Sequence, residues 1–285
     1  MSDQRSAGTG WAVITGASSG LGAIFAEQLA KRGMPLVLAG RDQPRLTAVQ
    51  QHISQITPGI DVELVVGDLG TKAGVDALVE HLDGRAIDVL VNNAGFGTYG
   101  PLSEADPGRE QDMVAVNVDA LMRMSHAVLP GMLARGTGGI LNVASTIAFQ
   151  PAPYQAAYGA SKAFVLSFSQ ALWAETRGSG VTVTALCPGP TRTGFVDALG
   201  SDVSHTAVYK RLAAPEPVVA AGLRALDRGR PVTIPALRYR VMAIGGRFLP
   251  GWVSALVSGR MLRPTDASVA TAKSAGVIPR AELRG

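Results

Sequence analysis

The chain has a single cysteine, Cys187, so no intrachain disulfide can form and no Cys-rich metal cluster is possible. No metal site is expected. Long apolar runs are missing too: none approaches the roughly 18 residues that a membrane-spanning helix needs. Met1–Gly10 is polar and lacks the basic-then-apolar order of a secretion signal, which predicts a cytoplasmic, reducing location. Charge is sparse, at 17% Asp, Glu, Lys and Arg, and the formal net charge of +4 is modest for 285 residues. That balance suits an anionic small molecule as well as it suits nucleic acid, and no nucleic-acid partner is expected. The 34 glycines follow no Gly-X-Y period, so collagen is excluded and tight turns are implied.

What the chain does have is apolar residues, 47% of the total, arranged in short runs. Seven of these, Trp11–Thr15, Leu36–Ala39, Asp61–Val66, Val89–Asn92, Ile140–Ala144, Val181–Leu186 and Val232–Ile234, read as strands. Helical stretches lie between them. The first shows an apolar face at Leu21, Phe25 and Leu29. Others are expected at Pro44–Ile56, Thr71–Leu82, Arg109–Val116 leading into Leu121–Ala134, Tyr158–Thr176 and Pro217–Asp227. Strands that are apolar throughout and alternate with helices predict a doubly wound parallel α/β sheet of about seven strands with helices on both faces. Ligands then sit at the carboxyl ends of the strands. The expected organisation is a polar lead over 1–10, one domain over 11–235, and a C-terminal extension and tail over 236–285.

Between the first strand and the first helix stands Thr15-Gly16-Ala17-Ser18-Ser19-Gly20-Leu21-Gly22. In that place, backbone N–H groups and the positive helix end can meet a pyrophosphate, and glycines allow close approach. The same residues also suit an ordinary glycine-rich turn. At the end of the second strand, where a carboxylate would bind a ribose 2′-hydroxyl, the chain has Gly40 and then Arg41. A guanidinium without a carboxylate favours a 2′-phosphate, and so NADP(H). Alternatively, Arg41 is a solvated residue paired with Asp42. Asp68, at the end of the third strand, either accepts from an adenine amino group or caps the turn before Thr71.

Tyr158-Gly159-Ala160-Ser161-Lys162 puts a phenol and an ammonium on one helical face. A cation one turn away is expected to pull the phenol down from a pKa near 10, towards acid–base use. Ser145 ends a strand at the ligand edge, where its hydroxyl can polarise a carbonyl oxygen or cap a turn. Asn117, in a helix, either holds a water next to Lys162 or satisfies a backbone group.

Taken together, these residues resemble the single-domain branch of the short-chain dehydrogenase/reductase family. The resemblance rests on the glycine loop at 15–22, Asn92-Asn93-Ala94-Gly95, Asn117, Ser145, Tyr158-x-x-x-Lys162 and Pro188-Gly189-Pro190-Thr191-Arg192-Thr193, and it covers about 15–195. It implies a Rossmann-type fold with catalytic residues Asn117, Ser145, Tyr158 and Lys162. It also implies a cofactor site drawn from Gly16, Ser18, Ser19, Gly20, Leu21, Gly22, Arg41, Asp68, Leu69, Asn93, Ala94, Gly95, Tyr158, Lys162, Pro188, Gly189, Thr191 and Thr193. Some NADP-using members carry a basic residue where this chain has Ser19, so recognition of the 2′-phosphate rests mainly on Arg41.

The expected activity is NADPH-dependent reduction of a lipophilic ketone or aldehyde, a carbonyl reductase activity. The reverse dehydrogenase and a non-catalytic NADP-binding sensor are the alternatives. By resemblance, 194–215 forms a substrate lobe, where His205 either touches substrate or lies on the surface. Relatives that pair through the helices at Leu121–Ala134 and Tyr158–Thr176 imply a homodimer or homotetramer. The segment Arg228–Thr265 carries seven arginines and no acidic residue, interspersed with apolar side chains. It reads as a helix pair that closes the pocket or forms a subunit contact, or as an amphipathic surface over 236–263 for a membrane or an acyl substrate.

Overall fold

The computed structural model describes residues 10–264 except 196–198, 200–202, 204–205, 207–208, 210–211 and 247–249. His205, the polar lead up to residue 9 and the tail from 265 lie outside the described residues.

Seven strands, β1 (Trp11–Thr15), β2 (Leu36–Gly40), β3 (Val62–Val66), β4 (Ile87–Asn92), β5 (Gly138–Val143), β6 (Val181–Leu186) and β7 (Val232–Thr233), form one sheet in the order β3-β2-β1-β4-β5-β6-β7. Every pairing is parallel. Alternate side chains feed opposite faces, and both faces are covered. Ala12, Ile14, Leu36 and Leu38 pack in one cluster with helix α1 (Gly20–Ala30), α2 (Gln43–Ile56) and α7 (Pro215–Asp227). Val13, Val37, Leu90 and Ile140 pack on the other face with α3 (Lys72–Leu82), α5 (Leu121–Arg135) and α6 (Ala156–Glu175). Each Val, Leu or Ile among them, fully buried, contributes about 1.5–3 kcal/mol.

The remaining helices are α4 (Pro107–Val114), which runs through a π-helical turn (Ala115–Ala120) into α5, and the C-terminal pair α8 (Leu237–Gly246) and α9 (Gly251–Met261). Several boundaries move from expectation by one or two residues, three of them for a visible local reason. Asp106 caps α4 by accepting from Gly108, so the helix starts at Pro107 rather than Arg109. Pro215 opens α7 two residues early, where its missing N–H costs nothing. Gly138 and Gly139 join β5 ahead of the apolar run, because the strand beside them, β6, pairs with both.

The strand order reverses direction at β1, with β2 on one side and β4 on the other. Crossovers diverge there and leave a crevice above the carboxyl ends of β1 and β4.

Candidate active site

A single cavity of about 800 Å³ runs from the end of β2, over β1, β4 and β5, to the C-terminal helices. At one end the glycine loop turns into α1. Gly16 and Gly20 have φ of +64° and +56°, which glycine adopts without strain. A Cβ on Gly22 would overlap the Gly16 carbonyl oxygen, so glycine lets the helix sit against the loop. The first turn of α1 contains no acidic residue, and its N-cap Ser19 makes no side-chain capping bond. Its N–H groups therefore face the cavity with the positive end of the helix dipole, a cradle suited to a pyrophosphate. Asn93 holds this loop, donating from Nδ2 to the carbonyls of Thr15 at 3.0 Å and Gly16 at 3.1 Å.

Ser18, Ser19, Gly20, Leu21, Arg41, Asp68, Leu69, Ala94 and Gly95 line the same wall. Arg41 pairs with Asp68 (Nη1 to Oδ2, 3.7 Å) and not with Asp42. Asp42 instead caps α2, accepting from Arg45 N at 3.0 Å. Of the two roles open to Asp68, the structure contains the turn: its Oδ1 accepts from Gly70 N at 2.9 Å. With Arg41 and Arg45 at the rim and Gly40 ending β2, these residues fit a dinucleotide bearing a 2′-phosphate.

Further in, α6 brings Tyr158 and Lys162 to the carboxyl edge. The helix is anchored by a buried polar chain. Asn92 donates to the Asn142 oxygen at 2.9 Å, and the Asn142 amide donates to Ser169 of α6 at 2.9 Å. Gly159 lets the first turn of α6 close on the preceding loop, since a Cβ there would lie 2.9 Å from the Ala152 methyl. That loop includes Tyr154 at φ +66°, a strained conformation for a bulky residue, held by Gly100 N donating to its carbonyl at 2.8 Å.

Tyr158 and Lys162 are both buried. Burial raises the Tyr158 phenol above its ordinary value, Tyr209 adds to the rise, and a hydrogen bond with Ser145 opposes it. The expectation that Lys162 would depress this phenol is thus corrected: desolvation dominates. The Lys162 ammonium donates to the Val143 carbonyl at 2.9 Å and lies 5.9 Å from the centre of the phenol ring. Burial lowers Lys162 itself to about 8.

Of the two roles open to Ser145, the structure contains the turn cap. Its Oγ accepts from Ile147 N at 3.3 Å, capping the short helix that follows, while also bonding Tyr158. Asn117 occupies the π-helical turn, buried behind the cavity rather than on its wall. Its amide is used up on protein groups: Oδ1 accepts from Phe96 N at 3.2 Å, and Nδ2 donates to Phe96 O at 3.0 Å and to Ser161 Oγ at 3.1 Å. Gly95 lies against both partners of this set, and a Cβ there would stand 2.5 Å from Asn117 Oδ1 and 3.4 Å from Lys162 Nζ. Of the expected residues, then, Gly22 and Asn117 support the cavity from behind, and the others line it, including Pro188, Gly189, Thr191 and Thr193.

The far wall was not foreseen residue by residue. Phe149, Gln155, Phe195, Tyr209, Met242 and Met261 face the cavity. Gln155 is buried and accepts from the Tyr209 hydroxyl at 3.4 Å. Tyr239 rests on Gly189, and the Arg238 guanidinium lies 4.6 Å above its ring. The advance signals for this wall were the expected substrate lobe over 194–215 and the apolar helix pair expected to close the pocket, which account for Phe195, Tyr209, Met242 and Met261 but not for Phe149 or Gln155.

Comparison with known proteins gives consistent neighbours. The profile described as short chain dehydrogenase matches residues 10–204. The chain is 39% identical over 181 residues to "Hydroxysteroid dehydrogenase-like protein 1" of Gallus gallus, covering 62% of this chain and 54% of that one. It is 38% identical over 183 residues to "Very-long-chain 3-oxoacyl-CoA reductase" of Anas platyrhynchos, covering 62% and 58%. The match thus spans little more than half the length of these two relatives. Among solved structures, a short-chain dehydrogenase from Sphingobium yanoikuyae in complex with NADPH superposes with a TM-score of 0.76 at 34% identity, covering 90% of this chain and 99% of that one.

Proposed function

Because this chain belongs to the short-chain dehydrogenase family, we propose that it reduces a lipophilic ketone or aldehyde to an alcohol with NADPH as donor. The observation that carries the reading is one cavity joining the glycine cradle and Arg41 to Tyr158, Ser145 and Lys162. The NADPH in the Sphingobium structure supports the choice of cofactor, as do the guanidiniums of Arg41 and Arg45 at the rim. Bound NADPH supplies hydride to the carbonyl carbon.

The residues of this chain do the rest. The α1 cradle and Arg41 hold the phosphates, while Pro188–Thr193 and Lys162 orient the nicotinamide end. Ser145 donates a hydrogen bond to the carbonyl oxygen and strengthens it as charge develops there. Tyr158 gives that oxygen its proton. Burial favours the protonated phenol that this step uses. Lys162 then steadies the phenolate, and Asn117 positions α6 through Ser161. The apolar far wall and the 3-oxoacyl-CoA reductase likeness support a lipophilic substrate.

The reading includes a cytoplasmic protein, with its lone thiol reduced and buried, that assembles as a dimer or tetramer. Exposed Met122 and Leu133 on α5 and Phe164 on α6 support pairing through those helices. Oxidation of NADPH and NADH in parallel, across β-keto esters, steroid ketones and long-chain acyl ketones, tests the activity. Turnover with NADPH that is abolished in Tyr158→Phe supports it. Cofactor binding without turnover of any carbonyl overturns it in favour of a sensor.

A further inference from the structure

The last two helices turn large apolar side chains to solvent, and on α9 the polarity is reversed. On α9 the side chains turned inward are Ser254 and Ser258, both buried, and the Ser258 hydroxyl donates to the Pro151 carbonyl at 2.7 Å. The side chains turned to solvent are Trp252, 70% exposed, Leu256, 62% exposed, and Val257. Trp252 and Leu256 stand four apart, neighbours on one helical face. α8 buries Ala243 but exposes Leu237, at 74%, and Val241, at 63%, with Met242 beside them. Of 13 exposed large hydrophobic residues among those described, six belong to these two helices. Scattered singly, such residues need no explanation, but gathered on one face they mark a contact surface.

The charge around the face indicates what covers it. Seven arginines and no acidic residue lie between Asp227 and Asp266, and Arg238, Arg240 and Arg260 are on the helices themselves. A second copy of this chain meeting it like to like would bring the two arginine sets together, which opposes that contact. An anionic bilayer satisfies both features. Trp, Leu and Val side chains sink below the headgroups while guanidiniums meet the lipid phosphates. No described helix is long and apolar enough to cross a membrane, so the helices would lie in the interface.

We propose that α8 and α9 form a docking surface for a bilayer rich in anionic phospholipid. The same helices line the cavity through Tyr239, Met242 and Met261, with Met242 at the edge between cavity and solvent. Docking therefore sets the mouth of the cavity against the lipid. Passage of a lipophilic carbonyl from the bilayer into the site rests on the reductase reading, whereas docking itself does not.

The test needs no turnover. The full chain is floated with phosphatidylcholine vesicles containing about one-third phosphatidylglycerol, and with phosphatidylcholine alone. The anionic vesicles are expected to recover the wild type, and the neutral ones about tenfold less. The Trp252→Ser/Leu256→Ser double variant, which changes neither the cavity wall nor a buried side chain, is expected to bind the anionic vesicles at least about tenfold more weakly. Its melting temperature should match the wild type. Failure of the wild type to float, or equal flotation of the variant, overturns the proposal. A wild-type dimer in sedimentation that the variant disperses also overturns it and assigns the face to a second copy of the chain.

Discussion

Replacing Gly189 with alanine isolates the contact between the nicotinamide-side loop and the C-terminal helices. The backbone at 189 is not in the left-handed region, so alanine fits the chain itself. The obstacle is the Tyr239 ring: an added Cβ would lie 2.5 and 2.8 Å from Cδ2 and Cζ, and nearer still to Cε2. The ring must swing aside, and in doing so it leaves the Arg238 guanidinium stacked 4.6 Å above it and the 3.1 Å hydrogen bond from Arg238 Nη2 to its hydroxyl. At an exposed site those two contacts together are worth about 1–2 kcal/mol. Gly189→Ala should therefore cost about 1–2 kcal/mol of stability, read as a fall in melting temperature. Tyr239→Ala removes the obstacle, so the Gly189→Ala/Tyr239→Ala double variant should be as stable as Tyr239→Ala alone. If adding Gly189→Ala to Tyr239→Ala costs as much as adding it to the wild type, the Tyr239 argument is refuted.

Tyr158→Phe should lower kcat/KM about 10²- to 10⁴-fold while leaving the NADPH dissociation constant nearly unchanged, and a large loss of binding would contradict its role as the acid. Arg41→Ala should raise KM for NADPH about ten- to a hundredfold and leave KM for NADH unaltered; equal losses with both donors would remove Arg41 from 2′-phosphate recognition. Burial depresses Lys162 to about 8, so the ammonium that steadies the phenolate is lost as pH rises through that value. Reductive kcat/KM should fall on that alkaline side, and Lys162→Arg should move the fall upward; a wild-type profile flat to about pH 10 would rule this out.

The sheet was legible because its strands are apolar on both faces, as in Val13 packed one way and Ile14 the other. The candidate site residues were legible as spaced polar types at strand ends and on one helix face. Their partners were not. Asn117 meets Phe96 and Ser161 through a π-helical turn that no periodicity announces. Arg41 finds Asp68 across adjacent strands, while its sequence neighbour Asp42 turns to cap α2. The phenol's rise came from burial, a quantity set only when the chain closes over Tyr158. Gln155, Tyr209 and Met261 meet at one wall because separate segments converge there: the segments of Tyr209 and Met261 were expected near the pocket, whereas nothing local marks Gln155.

The edge strand β7 is two residues long, Val232 and Thr233, and it is all that joins the C-terminal helices to the sheet by strand pairing. Ties to those helices include those from Ser258 to the Pro151 carbonyl and from the Tyr99 hydroxyl to the Leu262 carbonyl, each at 2.7 Å. Set at the edge of the sheet and exposed along much of its length, this unit is of the kind that opens before the centre does. Amide protons of α8 and α9 should therefore exchange with deuterium orders of magnitude faster than those of β1, β4 and β5. Because Tyr239, Met242 and Met261 line the cavity, opening of this unit would widen its mouth while the central strands keep their pairing.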